Sequence, residues 1–218
     1  MADSSLPRSP FAGAIDFDDG TPIRSIASEA LARTLQAHEL YVDSQQRSGK
    51  RANLDSTDLA GKSFAGRKLW HIRMQRADLA DVDFAGADLR RAILIGATML
   101  RGRLTAADLT GGRLNGINLT DADCKGVCMA EADIEFAIMA NSDFRNANFR
   151  NADMSGVILD GADLSNADLR WANLRGASLQ DTRLHGADLR EARMGGAILK
   201  HTLLNGADLR GAYLRVAK

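Results

Sequence analysis

The sequence predicts an all-β solenoid, a chain wound around one long axis, and three observations carry that prediction. An apolar residue stands at every fifth position from Leu54 to Leu214, at all 33 sites and with no insertion. A small residue lies two places before it, alanine at 20 of the 33 sites. Glycine, asparagine and aspartate crowd the places between, as in Gly61, Gly86, Asp163 and Asp168. A chain that is 45% apolar does not keep such a column by chance.

The period itself excludes the ordinary elements. On an α-helix five residues turn about 500°, so the apolar column would drift by about 140° per unit. On a straight strand an odd period sends the column to the opposite face each time. The column stays on one side only if the chain bends within every unit. Two positions spaced by two share one face of a short extended piece. The Gly, Asn and Asp positions then make the corner. Both the large residue and the alanine point inward, and the alanine is small because several walls meet in a narrow interior.

Ahead of the repeat, residues 1–20 hold Pro7, Pro10, Gly13 and the acidic Asp16, Asp18 and Asp19 without an apolar period, and read as a disordered tail. Residues 21–50 read as a helix and lead-in. Thr21 is the expected N-cap and Pro22 the first helical residue. Ala27, Leu31, Leu35, His38 and Val42 recur on one side, and Gly49 marks the stop. Residues 51–218 are the solenoid.

Lys+Arg and Asp+Glu both number 28, so no net charge draws the chain to nucleic acid or to a lipid surface. Cys124 and Cys128 are too few for a disulfide framework. Met1-Ala2-Asp3-Ser4-Ser5 shows no signal-peptide pattern, and no apolar run is long enough to span a membrane. A cytoplasmic protein is expected.

Units such as Ala162-Asp163-Leu164-Ser165-Asn166 and Ala207-Asp208-Leu209-Arg210-Gly211 resemble the pentapeptide-repeat family over residues 52–216, about three quarters of the chain. The lead-in Ser48-Gly49-Lys50-Arg51-Ala52-Asn53-Leu54 is similar to that of bacterial members. The resemblance implies a right-handed quadrilateral parallel β-helix of about eight coils, four units per coil, with the N-terminal helix as its cap. At the ~4.8 Å strand spacing the rod is about 40 Å long. One inward stack then holds Phe64, Phe84, Leu104, Cys124, Phe144 and Leu164.

The first coil departs from the pattern, with Lys62 and Arg67 at small inward positions. Two long cations do not fit a narrow dry core, so a distorted coil is expected there, with both stems reaching toward solvent or the helix. At the other end no capping element separates Leu214 from Lys218, and the open edge suggests a homodimer through the C-terminal coil.

Catalytic motifs dissolve into this frame. Gly61-Lys62-Ser63 lacks the earlier glycine of a phosphate loop, since position 56 is serine. Cys124 falls in the inward column and Cys128 in an outward one, so they cannot share a metal. His71, His185 and His201 fall on different parts of the surface, His38 belongs to the helix interface, and the aspartates recur as a solvated column. No catalytic residue, cofactor or metal is expected.

Function is then expected on the walls. One outward column of the fourth wall contains Arg150, Arg170, Arg190 and Arg210, beside a column with Asn148, Asp168, Asp188 and Asp208. Neutralisation between the two columns is expected, with an anionic partner as the competing reading. The second wall carries Ile138, Ile158 and Ile198, interrupted by Ser178, and Trp171 stands at a corner as a candidate anchor. The leading expectation is a non-catalytic protein-interaction scaffold. Some members of the family mimic DNA and bind type II topoisomerases such as DNA gyrase. That alternative is disfavoured, because residues 52–218 carry 22 basic against 21 acidic side chains.

Overall fold

In every unit of the solenoid the corner residue adopts a positive φ. It does so at each fifth position from Ser56 to Val216, whether the residue is glycine or not. The next residue but none donates its N–H back across the bend, as Arg67 does to the Phe64 carbonyl at 3.1 Å. Positive φ at only the second central residue is the backbone signature of a type II turn, which is why Gly, Asn and Asp dominate these positions. The computed structural model describes residues 20–217, so the segment read as a tail lies, apart from Gly20, outside the described residues.

Parallel pairing joins residues 20 apart, from Asn53 with Arg73 to Arg193 with Tyr213. Four units therefore close each turn. Phe64 shows the pattern. Its N–H donates to the Asp83 carbonyl at 2.7 Å, Gly66 donates to Ala85 at 2.9 Å, and Asp83 donates back to Lys62 at 3.0 Å. Together with the turn bond these satisfy four of the five backbone N–H groups in a unit. The fifth, just after the large inward residue, has no neighbour in the ladder. Aspartate and asparagine supply it: Asp83 Oδ1 accepts the Ala85 N–H at 3.0 Å, and Asp108, Asn118, Asp153 and Asp163 do the same two residues ahead of themselves. The acidic column thus completes the backbone accounting that a buried or half-buried chain demands.

Between Ile72 and Ala197 both inward columns are buried. Phe84, Leu104, Cys124, Phe144 and Leu164 have no exposed surface, and the alanines of the small column from Ala77 to Ala197 are covered. Four hydroxyls enter the small column, and Thr57 donates to the Asp55 carbonyl at 3.2 Å. Ser142, Thr182 and Thr202 donate to the carbonyls of Leu119, Leu159 and Leu179 at 2.6, 2.8 and 2.7 Å, so they bring no orphaned polar group into the core.

The corners also pack from coil to coil. The Phe136 ring lies over Gly156, and a Cβ there would meet Phe136 Cδ1 at 2.7 Å. Gly126 has the same backbone but open space around it. Gly126→Ala is therefore expected to cost only the left-handed strain, about 1 kcal/mol. Gly156→Ala should cost about 1–3 kcal/mol more, because the ring must leave. Chemical unfolding checks this, and Phe136→Ala should remove the difference between the two glycine variants.

The N-terminal end differs from the sequence expectation. The helix, α1, spans Ser28–Asp43 and begins at Ala27, without a side-chain cap. Residues ahead of it are extended: Arg24 donates to the Ser56 carbonyl at 2.7 Å and accepts from the Asp58 N–H at 2.8 Å, pairing with Thr57 beneath the first coil. Thr21 and Pro22 carry good local start signals, but pairing with a wall distant in sequence overrides them. The first coil is also not distorted. Leu59, Phe64 and Leu69 keep their ladder bonds, while Lys62 points to solvent and Arg67 reaches Glu39 of α1 at 3.5 Å. The stems leave the core without disturbing the backbone.

Leu31 and Leu35 of α1 join the rod's core cluster, and Lys68 pairs with Asp43 at 2.7 Å. His38 is fully buried, and its Nδ1 accepts the Ala52 N–H at 3.1 Å. Nε2 lies toward the Leu69 carbonyl without a well-formed hydrogen bond. Burial holds this imidazole below its ordinary pKa of 6.5, assisted by Arg51 and His71 and opposed by the Leu69 carbonyl. A histidine with a depressed folded pKa takes up protons more readily when exposed. The stabilisation is complete above 6.5 and is lost as pH falls through that value toward the folded one. Amide exchange should therefore show α1 losing protection as pH falls below about 6.5 while the rod keeps its own, with the acid sensitivity reduced in His38→Gln.

Candidate interaction surfaces

The arginine column of the fourth wall is a ladder of ion pairs. Arg170, Arg190 and Arg210 each grip the aspartate two residues earlier through Nε and Nη2, at 2.6–2.9 Å, on Asp168, Asp188 and Asp208. Arg170 and Arg190 also approach the aspartate of the next coil, at 3.5 and 3.6 Å. These bonds hold the carboxyls below the usual carboxylate range, and Asp208 falls to about 2. Fork-on-carboxylate pairing spends most of the directional capacity of both groups.

Arg150 differs. Position 148 is asparagine, so Arg150 lacks the carboxylate two residues earlier that its column mates grip, and the guanidinium lies 4.6 Å from the centre of the Trp171 ring instead. Arg170 sits 5.7 Å from the same ring. Trp171 is 44% exposed and holds φ at 58°, a conformation that favours glycine or asparagine at a corner. It stands as a fin, with a groove of about 350 Å³ beside Arg170, Arg190, Glu191 and Arg210. A rigid aromatic flanked by guanidinium groups is the composition of an interface anchor.

On the second wall the isoleucines line up in the ladder, Ile138 beside Ile158, then Ser178, then Ile198. Ile138 and Ile198 are half-buried, whereas Ile158 is 5% exposed and Ser178 turns its hydroxyl onto Asp160 at 2.6 Å. The strip is thus largely closed on itself at its middle, and the structure does not bring it together with the arginine column.

The remaining chemistry-bearing residues are dispersed. Cys124 is buried and its thiol is pushed well up by burial, while Cys128 faces outward, 3.2 Å from Thr110 Oγ1. Among the described residues no group of His, Cys, Asp and Glu could hold a metal ion, and no helix is long and apolar enough to cross a membrane. Sequence reasoning missed Phe136, the backbone role of the aspartates and the strain at Trp171. The last was visible in principle, since a tryptophan occupies a column otherwise rich in Gly, Asn and Asp.

A family model for pentapeptide repeats matches in eight copies over residues 72–111, 103–135, 128–166 and 167–206. Similar solved structures include HetL, a pentapeptide repeat protein involved in heterocyst differentiation regulation from the cyanobacterium Nostoc sp. Strain PCC 7120, at 26% identity, covering 88% of this chain and 94% of that one with a TM-score of 0.31. Full-length QnrB1, a plasmid-mediated fluoroquinolone resistance protein, is 20% identical over 74% of this chain and 90% of its own, with a TM-score of 0.35. Rfr23 from the cyanobacterium Cyanothece 51142 is 24% identical over 54% and 63%, with a TM-score of 0.29. No curated protein sequence matches the chain.

Proposed function

From the chain's place in the pentapeptide-repeat family, to which it belongs and whose members fold as right-handed quadrilateral β-helices, we propose that it is a non-catalytic interaction scaffold. In this reading residues 51–218 form about eight coils whose flat walls meet a protein partner in a bacterial cytoplasm, and residues 21–50 serve as cap and lead-in. The observation that carries it is the employment of the polar side chains. The aspartates that could act as acids or bases accept backbone N–H groups or grip arginines. The fold uses them as structure, which leaves the walls as the working surface.

The contact surface we assign comprises Arg150, Arg170, Arg190 and Arg210 with Trp171, and the Ile138, Ile158 and Ile198 strip as its apolar counterpart on the second wall. Trp171 is the centre of it. Its exposure and its strained backbone have no benefit to the rod that a glycine would not exceed. The last coil, where Leu203, Tyr213 and Leu214 are exposed, is the edge on which a second copy would pair.

Affinity enrichment from the native source, comparing the intact chain with a Trp171→Ala, Arg150→Glu double variant, tests the proposal. A protein retained by the first and lost by the second supports it. Turnover of any substrate abolished by Asp168→Asn or His185→Ala would sink it. Inhibition or protection of DNA gyrase in a supercoiling assay would instead place the chain with the DNA mimics.

A further inference from the structure

Near the N-terminal end two arginines and a histidine stack on one corner of the rod. Arg51, His71 and Arg91 are 20 residues apart, the spacing that the ladder joins coil to coil. Arg51 Nε donates to the His71 carbonyl at 2.7 Å, and His71 and Arg91 follow at the same turn position of successive coils, both at positive φ. Neighbouring coils lie ~4.8 Å apart, so Arg51 below and Arg91 above oppose a charge on His71.

Among the described residues neither Arg51 nor Arg91 has a carboxylate partner, in contrast with Arg90, which Asp88 grips at 2.6 and 2.8 Å. Arg51 Nη2 is buried with no acceptor. Burial, then Arg51 and Arg91, hold the His71 imidazole below its ordinary 6.5. A groove of about 390 Å³ opens at this corner, lined by Trp70, His71, Arg90, Arg91 and Thr110. Trp70 is half-buried, with its ring 4.5 Å from that of His71.

We propose that this corner binds a phosphoryl anion, with Arg91 and His71 contacting it, Arg51 contributing charge from beneath, and the Trp70 indole offering its face to a planar ring carried by the ligand. The stacked cations select a group with more than one negative charge over a lone carboxylate. The guanidinium fork matches phosphoryl oxygens, and an anion between the coils turns mutual repulsion into charge-assisted hydrogen bonds. The indole lies within the same groove, so a nucleoside phosphate and a free phosphoryl anion share the required chemistry.

The chain has 2 tryptophans, and Trp171→Phe leaves Trp70 as the sole reporter. In that background the full chain is titrated with pyrophosphate and with ADP at constant ionic strength, at about pH 6 and about pH 7.5. The expected result is a saturable fluorescence change, tighter at the lower pH because the anion favours protonated His71. Arg91→Glu should weaken it by at least about tenfold, while Arg175→Glu, a charge reversal on a distant coil, leaves it unchanged. Tighter ADP assigns a contribution to the ring on Trp70, and equal affinities assign a free anion. Arg91→Gln, which keeps the three-carbon stem and a polar end but no charge, should weaken binding as well, so a folding defect in the reversed variant does not decide the matter. No saturable change up to about 10 mM of either compound, or equal weakening in Arg91→Glu and Arg175→Glu, overturns the proposal.

Discussion

Phe144→Ala is expected to destabilise the rod by about 3–5 kcal/mol, the largest effect of any single truncation in the core. Phe144 has no exposed surface, and its ring meets Phe149 edge to face, with centroids 5.3 Å apart. Above and below it in the same stack stand Cys124 and Leu164, each fixed by ladder hydrogen bonds. A void there cannot close by collapse, because moving either neighbour means stretching the ladder on which its coil hangs. The small positions of its own coil, Ala132, Ala137, Ser142 and Ala147, have no reach.

The consequence spreads in a particular way. In a solenoid each coil contacts only its neighbours, so stability is a chain of coil-to-coil terms. Weakening one link near the middle leaves two half-rods, each with its own ladder. Chemical unfolding of Phe144→Ala should therefore broaden or split into two transitions. Leu203→Ala, at a residue 44% exposed on the last coil, should shift the midpoint by less than about 1 kcal/mol and keep one transition. Equal losses at both positions would falsify the view that the stack is what holds the coils together.

The two inward columns were legible in the sequence because a period of five has one physical solution, a bend in every unit. Leu54 to Leu214 needed no long-range information. The corners were legible as a class, through Gly61, Gly86 and Gly161, but the exceptions were not. Phe136, Arg91 and Trp171 adopt the same positive φ despite their bulk, since the closed ladder on both sides imposes it. The start of α1 was hidden for the opposite reason. Local signals at Thr21 and Pro22 were sound, yet Arg24 pairs with a wall more than thirty residues ahead. Of the candidate surface, the contrast between Arg150 and its column mates was present in one letter, Asn148 in place of aspartate. What that letter releases, a guanidinium over an indole, depends on a corner residue 21 positions on and needed the coil geometry.

The same dependence on geometry makes Gly49→Ala the most damaging change outside the solenoid. Gly49 follows α1 at φ 80°, where only glycine is unstrained. The chain there turns back against the helix, and Lys50 donates to the Ala37 carbonyl at 2.9 Å. A Cβ on residue 49 would sit 2.3 Å from the Ala37 oxygen and 2.5 Å from the Tyr41 nitrogen. Both are backbone atoms inside a helix, so no side chain can swing away to make room. The return must open, and with it goes the approach of Ala52 to His38. The expected outcome is undocking of α1 from the first coil, at a cost of about 3 kcal/mol or more from combined strain and lost contacts. Leu31, Leu35 and the edge of the first coil become exposed, while the ladder from the second coil onward is untouched. Amide exchange should show α1 and residues 52–70 losing protection together and the later coils keeping theirs. The acid sensitivity expected from His38 should vanish in this variant, because its imidazole is then hydrated at every pH. An α1 that stays protected, or one whose loss takes the whole rod with it, would show that the helix and the solenoid are coupled otherwise than through this return.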